Sequence, residues 1–162
     1  MNTTPESSAP EANGPRLIVN TQYVKDFSFE NPNSPKSLLP SNERPGIDIH
    51  IDMKAQRLQE EVFELALTIT AKASRKEEVV FMVDLTYAGV FTIQGVKEEE
   101  LSSVLMVDAP TILFPFARRI VADVTRDGGF PPLMLEPIDF QGLYIQQRER
   151  AQAEGKASSS AA

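Results

Sequence analysis

Apolar and polar residues alternate along four separate segments of this chain, and each segment reads as a β-strand. In RLIVNTQYVKDFSFE, Leu17, Val19, Tyr23, Phe27 and Phe29 fall on one strand face, with Asp26, Ser28 and Glu30 on the other. Lys25 breaks the alternation, which predicts a bulge or an edge position there. IDIHIDM alternates without a fault, setting Ile47, Ile49, Ile51 and Met53 against Asp48, His50 and Asp52. VFELALTITAKA sets Phe63, Leu65, Leu67, Ile69 and Ala71 against Glu64, Ala66, Thr68, Thr70 and Lys72. After the turn SRKEE, VVFMVDLTYAGVFTIQG aims Val79, Phe81, Val83, Leu85 and Tyr87 at a core and Val80, Met82, Asp84 and Thr86 away from it. Consecutive alternating strands with no helix between them predict an antiparallel sheet covered on one face.

One connection between these strands is long. NPNSPKSLLPSNERPG, residues 31–46, is dense in Pro, Asn and Ser and cannot continue a strand. It exceeds the usual limit of about 12–15 residues for a plain linker, which points to a functional segment. From Lys97 the period becomes helical. KEEELSSVLMVD places acids in a first turn, where the helix dipole favours them, with Leu101, Val104 and Leu105 at helical spacing. PTILFPFARRIVADVTRDGG continues with Leu113, Phe116, Ala117, Ile120 and Val124 as a stripe, and Gly128 as a natural stop. Pro115 either lies close to the start of this helix or kinks it. IDFQGLYIQQRERAQA reads as a last amphipathic helix with Asp139 as its N-cap. Strands first and helices after define an α+β fold, a four-stranded antiparallel sheet with the C-terminal helices on one face.

GGFPPLMLEPIDFQGLY, between the last two helices, is apolar yet punctuated by prolines and glycines, so it is neither one regular helix nor a central strand. Apolar side chains here and in SLLP of the long connection are either satellite packing on the core or the lining of a binding groove. Val80, Met82 and Ala66 on the second sheet face, together with an apolar kinked helix, leave more surface than a monomer covers. An oligomer is expected.

Composition narrows the picture. Residues 1–15 and 152–162 are small or polar and read as disordered tails, and residues 16–151 suffice for a single domain. The chain has no cysteine, which excludes disulfides, thiolate catalysis and cysteine metal sites. It shows no secretory signal and no apolar run of membrane-spanning length, so a cytoplasmic protein without membrane insertion is expected. A formal charge of −7 disfavours nucleic acid and leaves a basic partner or simple solubility.

Catalytic chemistry is hard to place. Asp48, His50 and Asp52, at i, i+2 and i+4, could hold a divalent metal, or could simply form the solvated face of a half-buried strand. The second reading is the plainer one, and no metal site is assigned. His50 is the sole histidine and no G-x-S-x-G elbow exists, so a Ser–His–Asp hydrolase has no support. Neither nucleotide-binding glycine motif is present. No cofactor, no catalytic residue and no enzyme activity are expected. Asp26, Glu30, Met82 and Asp84 share outward faces and could form an acidic patch around one apolar side chain, or merely a solvated sheet face.

YVKDFSFENPNSP, GVFTIQGV and PTILFPFARRIVADVTRDGGFPPLMLEPIDFQGLY, in that order from Tyr23 to Tyr144, resemble the SecB family of bacterial export chaperones. The resemblance implies a SecB-like fold assembled as a homotetramer, a dimer of dimers with helices packed between the sheets. It implies a holdase that binds unfolded secretory precursors and delivers them to the SecA translocation ATPase. Asp26, Glu30, Met82 and Asp84 match the positions through which the family docks on SecA. By the same resemblance Leu38, Leu39, Leu133, Leu135, Phe140 and Tyr144 are expected to line the groove for unfolded client. The alternative is an oligomeric adaptor or scaffold that binds a single folded partner.

Overall fold

The computed structural model describes residues 14–159. Most of the segment read as an N-terminal tail lies outside the described residues. Four strands, β1 (Arg16–Glu30), β2 (Gly46–Arg57), β3 (Val62–Arg75) and β4 (Glu78–Gln94), form one antiparallel sheet in the order β1-β4-β3-β2. Hairpins join β2 to β3 and β3 to β4, while the long connection carries the chain from one sheet edge to the other. That crossing is why the connection needs its length.

β3 and β4 are central, and their alternation holds from Phe81 onward; Val80, expected to face away from the core, is instead an unpaired residue at a register shift and is buried in the core. Leu65, Leu67, Ile69, Val83, Leu85 and Phe91 are completely buried on one face. Against them lies a continuous helix made of α1 (Glu98–Ser103), a π-helical turn (Val104–Asp108) and α2 (Ala109–Asp127). Pro110 and Pro115 cannot donate backbone hydrogen bonds, and the wide π turn precedes them directly, as helices commonly adjust next to prolines. α2 approaches the sheet closely at Gly89, where a Cβ would stand 2.8 Å from the Phe91 ring and 2.9 Å from Leu113. This glycine in mid-strand reflects close approach and not a bulge.

Three further expectations need correction. Tyr23 does not share a face with Phe27. β1 has register shifts at Asn20 and Lys25, each inserting one unpaired residue, so the stretch between them reads with inverted parity. Tyr23 pairs with Ala88 on the outer face, whereas Leu17, Val19, Phe27 and Phe29 pair with Ile93, Phe91, Leu85 and Val83 on the helix side. The bulge expected at Lys25 is present. Next, the stripe of α2 that meets the sheet is Leu113, Ala117, Val121 and Thr125, and Phe116 is exposed. Both stripes have helical period, and only tertiary packing chooses between them. Finally, α3 (Phe140–Ser159) begins where expected but runs to its last described turn, so residues 152–159 are helical and not a disordered tail. Alanine, glutamate and lysine in this run have high helix propensity, which carries the helix on without any buried face.

Candidate functional site

The outer face of the sheet is a regular array. Cross-strand pairing sets Asp48, Lys72, Met82 and Glu30 in one row, His50, Thr70, Asp84 and Ser28 in the next, and Asp52, Thr68, Thr86 and Asp26 in a third. Neighbouring strands lie about 5 Å apart, so the rows are tightly spaced. Asp26, Glu30 and Asp84 are exposed, with Glu30 beside the partly buried Met82, Asp84 one row on and Asp26 two rows on. The structure thus brings the four predicted patch residues onto two adjacent strands. Asp48 and Asp52 extend the same acidic field, with Lys72 as its one lysine. Among the described residues none of these five carboxylates is in an ion pair. Asp48, His50 and Asp52 point to one face, but no group of three metal-ligating residues is close enough to hold an ion among the described residues.

Further along this face the chemistry changes. Glu64 of β3 accepts hydrogen bonds from the Tyr23 hydroxyl and from Lys25 Nζ, the latter at 2.7 Å. Lys25 and Tyr23 hold the Glu64 carboxyl below its usual range despite burial. Burial, then the bond to Glu64, push the Tyr23 phenol up to about 12. The bulge at Lys25 makes this possible, because it turns Tyr23 outward beside the bulged residue itself.

The opposite face carries a groove. Here Ile47, Ile49 and Ile51 of β2 face Leu133, Met134, Leu135, Pro137 and Ile138 across a cavity of about 430 Å³. Ile47 and Ile49 stay 40% and 47% exposed because α2 packs over β3 and β4, and it is the π turn of the long helix that reaches β2. The prolines keep residues 131–139 out of helix and strand alike, so the segment lies as an irregular rim between α2 and α3. Its position is fixed at its start. Gly129 has φ +92°, open to glycine, and Leu38 of the long connection lies 2.9 Å from where a Cβ would stand.

The six residues expected to line a groove are distributed over several places. Leu133 and Leu135 line the cavity against β2. Leu39 lines a separate cavity of about 320 Å³, with Arg75, Lys76, Val79 and Val80 of the β3–β4 hairpin. Leu38 leans on Gly129 and links the long connection to the rim. Phe140 is 3% exposed and meets Phe114 edge-on at 6.0 Å, while lining a further cavity of about 290 Å³ beside Arg118. Tyr144 is half-buried on α3, with the Arg148 guanidinium 5.7 Å from its ring centre. The isoleucines of β2 were missed as groove residues. Their alternation gave their face, but no sequence signal says that nothing covers it.

Irregular apolar rim, partly uncovered edge strand and acidic outer face together describe a protein with surfaces suited to binding other chains. Residues 10–151 match the family described as Preprotein translocase subunit SecB. The chain is 52% identical over 143 residues to the Protein-export protein SecB of Parvibaculum lavamentivorans, covering 88% of this chain and 85% of the relative. It is 51% identical over 156 residues to that of Rhodopseudomonas palustris strain HaA2, covering 96% of both. A SecB-like chaperone of Mycobacterium tuberculosis, solved with a ChAD peptide of the HigA1 antitoxin, shares the fold. It superposes with a TM-score of 0.60 at 19% identity, over 76% of this chain and 88% of the other. The chain belongs to the SecB family of protein-export chaperones.

Proposed function

We propose that this chain is a holdase that keeps secretory precursors unfolded in the groove between β2 and the 133–138 rim, and passes them to SecA through the acidic face of the sheet. The observation that carries the reading is the groove itself, an apolar cleft lined by isoleucine, leucine and methionine and open to solvent. Burial of apolar surface is non-directional, so such a cleft accepts many sequences. Met134, 56% exposed, is unbranched and repacks around different guests. Native proteins have already buried their apolar surface, so unfolded chains are selected. Binding them draws the folding equilibrium toward the unfolded state.

The docking role of Asp26, Glu30, Met82 and Asp84 is supported by their common face, the exposure of the three carboxylates and the absence of ion pairs to them among the described residues. An apolar centre with a carboxylate rim suits a basic partner surface and a salt-sensitive association. A homotetramer is supported by the helix side of β1, where Val19, Val24 and Phe27 remain exposed, and by Phe116 on α2. Among the described residues no helix is long and apolar enough to cross a membrane. We place the protein in the cytoplasm, where precursors are met before export, with no catalytic step of its own.

The test is retardation of refolding of a denatured, signal-bearing precursor, with the mass of the complex followed by light scattering. Retardation by a species of four subunits is the expected result. The double variant Asp26→Lys, Asp84→Lys keeps that activity and loses SecA binding. Capture of one folded protein, with no effect on refolding precursors, would replace the holdase by the adaptor.

A further inference from the structure

The groove rim is irregular, yet its first residue is held by a side chain buried inside α2. Ser37 and Thr125 are the buried polar residues among those described, and Thr125 is completely buried. Its hydroxyl donates to the carbonyls of Val121 and Ala122, at 2.9 and 3.1 Å, and accepts the Leu133 backbone N–H at 2.9 Å. Its own carbonyl accepts the Phe130 N–H at 3.1 Å. One residue of the last helical turn therefore ties the rim twice, at both ends of the turn through Pro131 and Pro132.

A hydroxyl at this place is unusual for packing alone. Threonine in mid-helix usually returns its hydroxyl to a carbonyl one turn back, which satisfies the donor and leaves a lone pair free. Here that lone pair is the partner of a rim amide that the prolines leave outside any helix or strand. Leu133 starts the segment facing Ile47, Ile49 and Ile51. A valine has nearly the same shape but offers no acceptor, and would leave that amide unmet.

We infer that Thr125 is a positioning residue for the client groove: its hydroxyl fixes Leu133, and through it the height of the rim over β2. This rests on the holdase reading for its functional arm, while the pin itself does not. The hydroxyl touches no client, and acts through the backbone of Leu133.

Full-length wild type, Thr125→Val and Thr125→Ser are compared by hydrogen exchange at the Leu133 amide. Their affinity for a permanently unfolded, fluorescently labelled precursor is measured far below the unfolding temperature, with subunit stoichiometry followed alongside. In wild type the Leu133 amide is protected well above the level of an open loop, a result that needs no variant. In Thr125→Val its exchange rises and client binding weakens about tenfold, the scale of one unmet buried donor, with stoichiometry unchanged. Thr125→Ser, which keeps the acceptor, restores both. An unprotected Leu133 in wild type overturns the pin. Faster exchange in Thr125→Val with unaltered affinity overturns its role in the groove. If wild type binds no unfolded chain, the holdase reading fails on its own, and the exchange measurement still decides the pin.

Discussion

β2 and β3 carry the same pattern and meet opposite fates. Both alternate without a break along their paired length, and they pair residue for residue from Gly46 with Ser74 to Arg57 with Phe63. Yet Leu65, Leu67 and Ile69 of β3 are completely buried, while Ile47 and Ile49 of β2 are among the exposed large apolar side chains. The difference lies in α2, which packs over β3 and β4. Alternation specifies which way a side chain points, and a neighbouring element decides whether that direction is an interior. On β2 the uncovered direction became the groove.

The largest effect that would break this comparison is on stability. Leu67→Ala is expected to cost about 2–5 kcal/mol, the usual range for a buried leucine that leaves a cavity. Ile49→Ala should cost no more than about 1 kcal/mol, because half of its side chain already meets water. Urea unfolding of both variants checks it, and equal losses would mean that β2 is covered as well as β3.

A smaller effect sharpens the same contrast from the binding side. Ile49→Ser should leave the folded state nearly untouched and weaken an unfolded client about fivefold, from the apolar area no longer buried in the complex. The readout is the dissociation constant for an unfolded precursor, with Ile18→Ser on the outer face of β1 as a control that leaves it unchanged.

The smallest concerns the outer faces of the two strands. Glu64 of β3 is held by Tyr23 and Lys25, whereas Asp48 and Asp52 of β2 are in no ion pair among the described residues. Because the folded state lowers the Glu64 pKa below 4.5, its contribution is present above that pH and is lost as pH falls through the lowered value. Glu64→Gln should flatten this acid limb by about 1 kcal/mol or less, read as the urea midpoint against pH. At the other end, Tyr23 contributes below pH 10 and loses its share as pH rises toward about 12. Tyr23→Phe removes that alkaline limb.

How much of this was legible in the sequence follows from the same distinction. The four strands, the stop at Gly128 and the N-cap at Asp139, whose carboxylate accepts the Gly142 N–H at 3.0 Å, are local features and could be read. So could the bulge at Lys25, because a lysine interrupts an apolar face. The bulge at Asn20 could not, since a polar residue there fits the alternation equally well, and Tyr23 was therefore set on the wrong side. Leu133 and Leu135 were legible as groove residues because prolines forbade regular structure around them. Leu38, Leu39, Phe140 and Tyr144 were equally apolar, and only the folded chain separates a link to Gly129, a second cavity, a core contact and a half-buried helix face. The acidic patch was legible for a simple reason: strand parity is enough to place Asp26, Glu30, Met82 and Asp84 when no bulge falls among them.

The two bulges of β1 also govern how this gene can change length. Fifteen residues, Arg16–Glu30, run beside thirteen of β4, Met82–Gln94, and the surplus of two is Asn20 and Lys25. A codon lost at either place removes an unpaired residue and leaves every other side chain on its present face. A codon lost within β3 has no such slack, and turns half of a buried strand over to water. The sheet can therefore shorten by single steps at its β1 edge, giving up a lysine–glutamate pair or an asparagine bond, while β3 is held to a fixed length.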